Sequence, residues 1–460
     1  MTAINLISPI DGSVYAERET QTVSELHTRV EKARRQQKDW ARRPVDERAN
    51  LVMRAIDALE AMNAEVVVEI AHMMGRPTRY GGEIGGVRER AAYMAEIAED
   101  ALCPTQIEDS NDFARYIKRE PVGVVFVIAP WNYPYLTAIN TIAPALIAGN
   151  AVVLKHASQT LLAGERLALA FEQAGLPDGL FVNVRLSHAD TSEMIANKSF
   201  DFINFTGSVN AGRAIERAAA GTFTPIGLEL GGKDPGYVRA DADLDQAVDT
   251  LIDGAMFNAG QCCCGIERIY VHDTLFDDFV AKAVSIVEGY RLGNPLDAET
   301  TLGPMAHVRF ADEVRAQIAE ATASGATALI DTSKFTADNG TDAYLAPQIL
   351  IDVDHSMRVM RDESFGPVVG IMRVSSDAQA IDLMNDSPFG LTASLWTQDT
   401  DAAFEIGAQI ETGTVFMNRC DYLDPALSWT GCKDTGRGAS LSALGYQSVT
   451  RPKSYHLKKR

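Results

Sequence analysis

Short apolar runs alternating with helical stretches fill the middle of this chain, and no other feature restricts its fold as much. The runs "VGVVFVIAP" (122–130), "AVVLKHA" (151–157), "FVNVRL" (181–186), "FDFINFTGS" (200–208) and "TPIGLELGG" (224–232) are rich in β-formers, with helical segments such as "SQTLLAGERLALAFEQAG" between them. A strand that reads as a continuous apolar run is covered on both faces, so the alternation predicts a parallel sheet with helices on each side. A second set follows: "ERIYVHD", "TALID", "APQILID", "VVGIMRV", "LTASLWT" and "TGTVFMN". The expected fold class is α/β, with two parallel-sheet domains whose boundary falls near 231–260, between Glu229 and a run of cysteines. Ligand crevices commonly form at such junctions.

Residues 21–101 read as long helices. Leu51, Ala55, Leu59, Met62 and Val66 recur near helical spacing, with Pro44 as a start signal and Gly75 as a stop. A net charge of -20 argues against nucleic acid and against an anionic membrane surface as partners. The opening "MTAINLISPIDG" has no basic n-region and meets Asp11 before an apolar core builds up, unlike a signal peptide. The most apolar region, 122–154, is broken by Pro130, Pro134, Pro144 and Gly149, which makes poor transmembrane material. Six cysteines, three of them contiguous, form no disulfide framework in a chain of 460 residues, so a cytoplasmic location is expected.

The contiguous cysteines lie in "FNAGQCCCGIER" (257–268), with no Cys-x-x-Cys or Cys/His spacing to hold zinc. Either they are buried small hydrophobes or one is a nucleophile. Neither G-x-G-x-x-G nor a Walker motif is present. "FTGSVNAGRAI" comes nearest: Gly207 permits a tight turn, and Ser208 caps a helix whose N-terminus favours phosphate. A plain β-turn-α connection reads the same way.

Four further stretches stand out: "APWNYP" with Asn132, "VVLKHASQT" with Lys155, "LELGGKDP" with Glu229, and "DESFGPVVG" with Glu363 and Phe365. In order and spacing, these and the cysteine segment resemble the motifs of the NAD(P)-dependent aldehyde dehydrogenase superfamily, in its non-acylating branch. "NDSPFGLTASLWT" (385–397) and "GCKDTGRG" (431–438) extend the likeness over essentially the whole chain. The resemblance implies a Rossmann-like cofactor domain lacking G-x-G-x-x-G over 1–104 and 120–231, and a catalytic domain over 232–447. It further implies small oligomerisation β segments at 105–119 and 448–460, and hence a homodimer or homotetramer.

An aldehyde gives up hydride only after a nucleophile has added to its carbonyl, and a thiolate both adds well and leaves from a thioester. The resemblance makes Cys263 that nucleophile, with Cys262 and Cys264 as packing neighbours. It assigns the oxyanion donors to the Asn132 amide and the Cys263 backbone N–H. Glu229 becomes the base that activates hydrolytic water, flanked by Leu228 and Leu230 in a partly desolvated setting. The bland alternatives are a turn residue at Asn132 and a rim charge at Glu229.

For NAD(P)+ the resemblance implies Lys155 at the adenosine ribose, Glu363 on the nicotinamide ribose, Phe365 near its ring, Ser208 facing the pyrophosphate, and Trp131 and Gly207 alongside. Many NAD-preferring members carry a Glu three residues after the Lys, where this chain has Ser158. A hydroxyl beside Lys155 accepts a 2′-phosphate that a carboxylate would repel, so NADP use is expected. His156 replaces the usual Pro, with a surface-loop residue as its plain reading. Ala439 and Ser440 replace a common Arg-Glu pair, and Glu267 either helps as a second carboxylate or forms a salt bridge.

By the same resemblance the substrate tunnel is lined by Tyr133, Leu136, Thr137, Asn140, Cys262, Cys264, Asp421 and Leu423, which suits a small or polar aldehyde. Arg419 either faces a semialdehyde carboxylate or pairs with Asp421 or Asp424. An acylating or other reductase of the superfamily is disfavoured by Glu229, and a non-catalytic scaffold by the joint presence of Asn132, Glu229 and Cys263.

Overall fold

The computed structural model describes residues 3–459; residues 1, 2 and 460, which close the outer expected segments, lie outside the described residues. Strands Val124–Ala129, Ala151–His156, Phe181–Val184, Phe202–Thr206 and Ile226–Glu229 form the first parallel sheet. From one edge its order is Ile226–Glu229, Phe202–Thr206, Val124–Ala129, Ala151–His156, Phe181–Val184. Strand order therefore reverses between Val124–Ala129 and Phe202–Thr206. In open α/β sheets that switch point, at the carboxyl ends of the strands, is where ligands bind.

Alternation along each strand feeds two cores. Val125, Val127, Val152 and Leu154 pack with helices Val45–Ala61, Leu136–Ile147 and Leu161–Gln173 on one face. Val124, Phe126, Ala151 and Val153 pack with helices Val23–Trp40 and Val209–Ala219 on the other. The long helical run expected after Pro44 divides in two, Val45–Ala61 and Asn63–Met74, around Met62. It stops at Gly75, whose φ of 84° is the left-handed cap that glycine supplies without strain.

The second sheet runs in the order Thr327–Ala328, Gln348–Ile351, Val368–Val374, Ile266–His272, Asp234–Val238, Thr392–Trp396, Thr414–Met417. All neighbours are parallel except the first pair. Sequence patterning missed Asp234–Val238, an interior strand, because it contains Pro235 and Gly236. Pro235 is tolerated where the register slips at the strand's start, so its missing N–H costs no ladder bond deeper in the sheet.

A third, antiparallel sheet joins Thr105–Asp109, Phe113–Pro121 and Thr450–Lys458. Thr450–Lys458, one of its two outer strands, is mostly exposed. One short strand of the late chain, Gly436–Arg437, leaves the second half of the molecule and pairs antiparallel with Ile226–Glu229, opposite Glu229 and Leu228. Among the described residues, no helix is long and apolar enough to cross a membrane.

Candidate active site

Asn132 lies just past strand Val124–Ala129, at the switch point of the first sheet, and is buried. Its Nδ2 donates to the carbonyl of Gln261 at 3.2 Å, which brings the loop of the first sheet onto the cysteine segment. Behind it sits a buried ion pair, Arg76 Nη1 to Glu83 Oε1 at 2.8 Å. Arg76 also donates to the Asn132 carbonyl at 2.6 Å and to Asn258 Oδ1 at 3.0 Å. Glu83 accepts from the backbone N–H groups of Tyr135 and Leu136 at 2.9 and 2.7 Å. Each charge thus has a partner and further hydrogen bonds, which is what lets an ion pair persist without water.

The cysteines follow a strained turn. Asn258 and Ala259 both have φ of 56°, and a Cβ on Gly260 would overlap the Gly366 carbonyl. Non-glycine residues held in this region concentrate at functional sites. Gln261 anchors the turn, accepting from the Ala306 N–H at 2.7 Å and donating to the Asn258 carbonyl at 3.0 Å. Cys262 and Cys264 are buried with their sulfurs 3.5 Å apart, while Cys263 is half-buried and faces the cavity. The Cys262 neighbour and burial push the Cys263 thiol well above its ordinary range. A thiol adds to a carbonyl as its thiolate, so a base within the same cavity matters.

Glu229 is the base expected there. Glu229 ends strand Ile226–Glu229 and lines the same cavity as Cys263. Burial raises its carboxyl, opposed by the Thr206 hydroxyl, which donates at 3.1 Å, and by the Arg90 guanidinium. The Gly436–Arg437 strand clamps this end of the sheet, and Thr435 donates to the Gly231 carbonyl at 2.9 Å.

All eight residues expected in the tunnel line this single cavity of about 180 Å³. Arg90, Phe257 and Trp429 line it too, and sequence reasoning missed them. Arg90 is a correction of substance. Arg419, read from sequence as either facing a substrate carboxylate or pairing with Asp421 or Asp424, is exposed and stacks 3.6 Å over the Tyr422 ring. Charged side chains are surface residues by default, so nothing in "GGVRERAAYMAE" singled out Arg90. Arg76 and Glu83 were invisible for the same reason.

The expected cofactor residues gather at the carboxyl ends of the first sheet. Trp131 meets the Phe365 ring edge-on at 5.4 Å, joining the two halves of the chain. Phe365, with φ of 51°, is held by Glu267, whose Oε1 accepts its N–H at 2.9 Å. Glu267 also pairs with Lys233 at 2.5 Å and accepts the Ser364 N–H at 2.8 Å. It is thus a salt-bridged clamp and not a second free carboxylate. Glu363 accepts the Gly232 N–H at 3.2 Å, and a Cβ at Gly231 would overlap its carboxylate. Burial, then Glu267, push the Glu363 carboxyl up to about 8.

Lys155 is buried at the end of strand Ala151–His156, and burial lowers its ammonium. Ser158 is exposed in the following turn, Ser158–Thr160. Gly207 donates to the Glu229 carbonyl at 3.1 Å, and Ser208 caps helix Val209–Ala219. His156 is no surface-loop residue. It is buried, donates through Nε2 to the Pro134 carbonyl at 2.9 Å, and so accepts from Thr160 at its other nitrogen, 3.0 Å away. Burial lowers it to about 4, so it stays neutral. These residues fit a dinucleotide: a helix N-terminus for phosphate, a buried ammonium with no carboxylate on it, and an anchored carboxylate for ribose hydroxyls.

A doubly wound sheet opening onto a thiol, a raised carboxyl and an amide donor fits one class, the dinucleotide-dependent oxidoreductases. Comparison with known proteins makes this specific. The model of the aldehyde dehydrogenase family matches residues 1–455, and the chain belongs to that family. A succinate-semialdehyde dehydrogenase [NADP(+)] of Deinococcus radiodurans is 32% identical over 94% of this chain and 90% of its own. A geranial dehydrogenase of Castellaniella defragrans is 34% identical over 91% of this chain and 87% of its own. The crystal structure of succinic semialdehyde dehydrogenase from Streptococcus pyogenes, in complex with NADP+, superposes with a TM-score of 0.92 at 28% identity, covering 99% of this chain and 100% of that one. The protein is an NAD(P)+-dependent aldehyde dehydrogenase. These two relatives, 32% and 34% identical, are named for different aldehydes, so identity does not name the substrate.

Proposed function

We propose that the protein oxidises a small or polar aldehyde to its carboxylate in the cytoplasm, through a covalent adduct on Cys263. Glu229 takes the thiol proton, directly or through water, and the sulfur adds to the carbonyl. The oxygen that becomes negative is met by the free N–H of Asn132 Nδ2 and by the backbone N–H of Cys263. The cofactor, held by Trp131, Lys155, Ser158, Gly207, Ser208, Glu363 and Phe365, supplies the hydride acceptor when bound. Glu229 then activates the water that hydrolyses the Cys263 thioester. The observation that carries this reading is that Glu229 and Cys263, from different halves of the chain, share one cavity, while Asn132 is hydrogen-bonded to Gln261, two residues before Cys263.

The cofactor is preferentially NADP+, because Ser158 puts a neutral hydroxyl where a carboxylate would repel a 2′-phosphate. The cofactor domain comprises 1–104 and 120–231 and the catalytic domain 232–447. The segments 105–119 and 448–460 assemble a homodimer or homotetramer, and the exposed strand Thr450–Lys458 supports this because open edges pair with other chains.

The test is cofactor reduction, followed by absorbance, across a panel of aldehydes with NAD+ or NADP+ and no coenzyme A. Reduction confirms the hydrolytic reaction. Reduction that requires coenzyme A would move the protein to the acylating branch.

A further inference from the structure

Arg90 is the one guanidinium in the cavity wall, and its hydrogen bonding is incomplete. It rises from helix Ile84–Glu96 and is 8% exposed. Both of its hydrogen bonds leave from Nη1, to the Leu136 carbonyl at 2.9 Å and to Asn140 Oδ1 at 3.1 Å. Among the described residues no carboxylate forms an ion pair with it, whereas the buried Arg76 and Lys233 each have one. A guanidinium only donates, and it carries five N–H groups in a planar fork that matches a carboxylate. Nε and Nη2 are thus left without a protein acceptor.

Asn140 adds an independent observation. It is 1% exposed and lines the cavity, and Arg90 fixes the orientation of its amide by donating to Oδ1. The Nδ2 of that amide is buried and has no hydrogen-bond partner. A buried donor left unmade costs its full desolvation, so such groups mark a missing acceptor. Arg90 Nε and Nη2 and Asn140 Nδ2 thus lie close to one another without an acceptor from the protein.

We propose that Arg90 and Asn140 form a docking site for a carboxylate on the substrate, so that the preferred aldehydes are short and carry a carboxylate at the end remote from the carbonyl. This deepens the proposed function and rests on Cys263 as the reacting thiol. The cavity's own carboxyls compete: Glu229, raised by burial and drawn on by Arg90, and Asp421, which would favour a cationic aldehyde. Asp421 lies on the Cys262 side of the cavity, and burial pushes its carboxyl up to about 7, which weakens it as an anionic anchor at neutral pH.

The experiment compares succinic semialdehyde with butanal, which has the same chain without the carboxylate, on wild type, Arg90→Gln and Arg90→Lys. Wild type is expected to favour succinic semialdehyde. Arg90→Gln should lower that preference about 100-fold, chiefly through KM, and Arg90→Lys should restore part of it, because a buried charge pair has lost one partner. Equal loss on both aldehydes, or a wild type that prefers butanal, overturns the proposal. A second readout needs no turnover: succinate should slow alkylation of Cys263 by iodoacetamide in wild type and not in Arg90→Gln. Absence of protection in wild type also overturns it. Protection without turnover of any aldehyde upholds the anion site and removes the dehydrogenase reading instead.

Discussion

Arg76 holds Asn132 by its main chain: guanidinium Nη2 donates to the Asn132 carbonyl at 2.6 Å while Nη1 pairs with Glu83 at 2.8 Å. The amide proposed for the oxyanion is therefore positioned through a charge that lies outside the cavity wall. Replacing Arg76 with Met leaves Glu83 buried and unpaired, which costs about 3–5 kcal/mol of stability. Denaturant unfolding should show that loss. The double variant Arg76→Met/Glu83→Gln should recover much of the stability without recovering kcat. Recovery of both would mean that Arg76 stabilises the fold without orienting Asn132.

All three cysteines line the cavity, and Cys263 alone among them is only half-buried. Cys263→Ala is expected to lower kcat by at least about 10³-fold, as loss of a covalent nucleophile does. Cys262→Ala and Cys264→Ala should keep activity within about tenfold and lose some stability, since each removes buried atoms. Steady-state kinetics of the three single variants checks the assignment.

The pH profile follows from Glu229. Burial raises its carboxyl above the ordinary 4.5, so the base form appears later as pH rises, and kcat should climb along an acidic limb lying above 4.5. Glu229→Gln should remove that limb and lower kcat, slowing the first turnover as well as thioester hydrolysis because Glu229 serves both steps. Stability carries the opposite sign. A carboxyl raised in the folded state favours folding below its unfolded pKa, and that contribution is lost as pH rises through the folded value. Glu229→Gln should therefore unfold at a higher temperature than wild type at neutral pH, with the difference shrinking in acid.

Ser158 is exposed at the turn after the strand that ends in Lys155 and His156. Ser158→Glu should reduce kcat/KM for NADP+ relative to NAD+ by about tenfold or more, because a carboxylate facing a phosphate repels it. An unchanged ratio would place the 2′ recognition elsewhere.

Much of this molecule was legible before any coordinates. The strands predicted at 122–130, 151–157 and 200–208 appear as Val124–Ala129, Ala151–His156 and Phe202–Thr206, because a strand buried on both faces leaves a run with no polar interruption. Asp234–Val238 was missed because Pro235 and Gly236 mimic a turn, and only its two neighbouring strands make it a strand. The residues of the tunnel were legible through ordered motifs, and they converge on one cavity.

The sequence by itself determined the α/β class, the family and the short list of reactive side chains, since these follow from local periodicity and from motifs that keep their order along the chain. Tertiary structure alone decided which charges matter. Arg76, Glu83 and Arg90 lie within one stretch of helix and turn that reads as ordinary surface, and Arg419 beside a motif reads as functional. Folding buries the first three and leaves Arg419 outside on Tyr422. A charge acquires its role from what surrounds it in space, and desolvation is a property of the packed chain that no local pattern encodes.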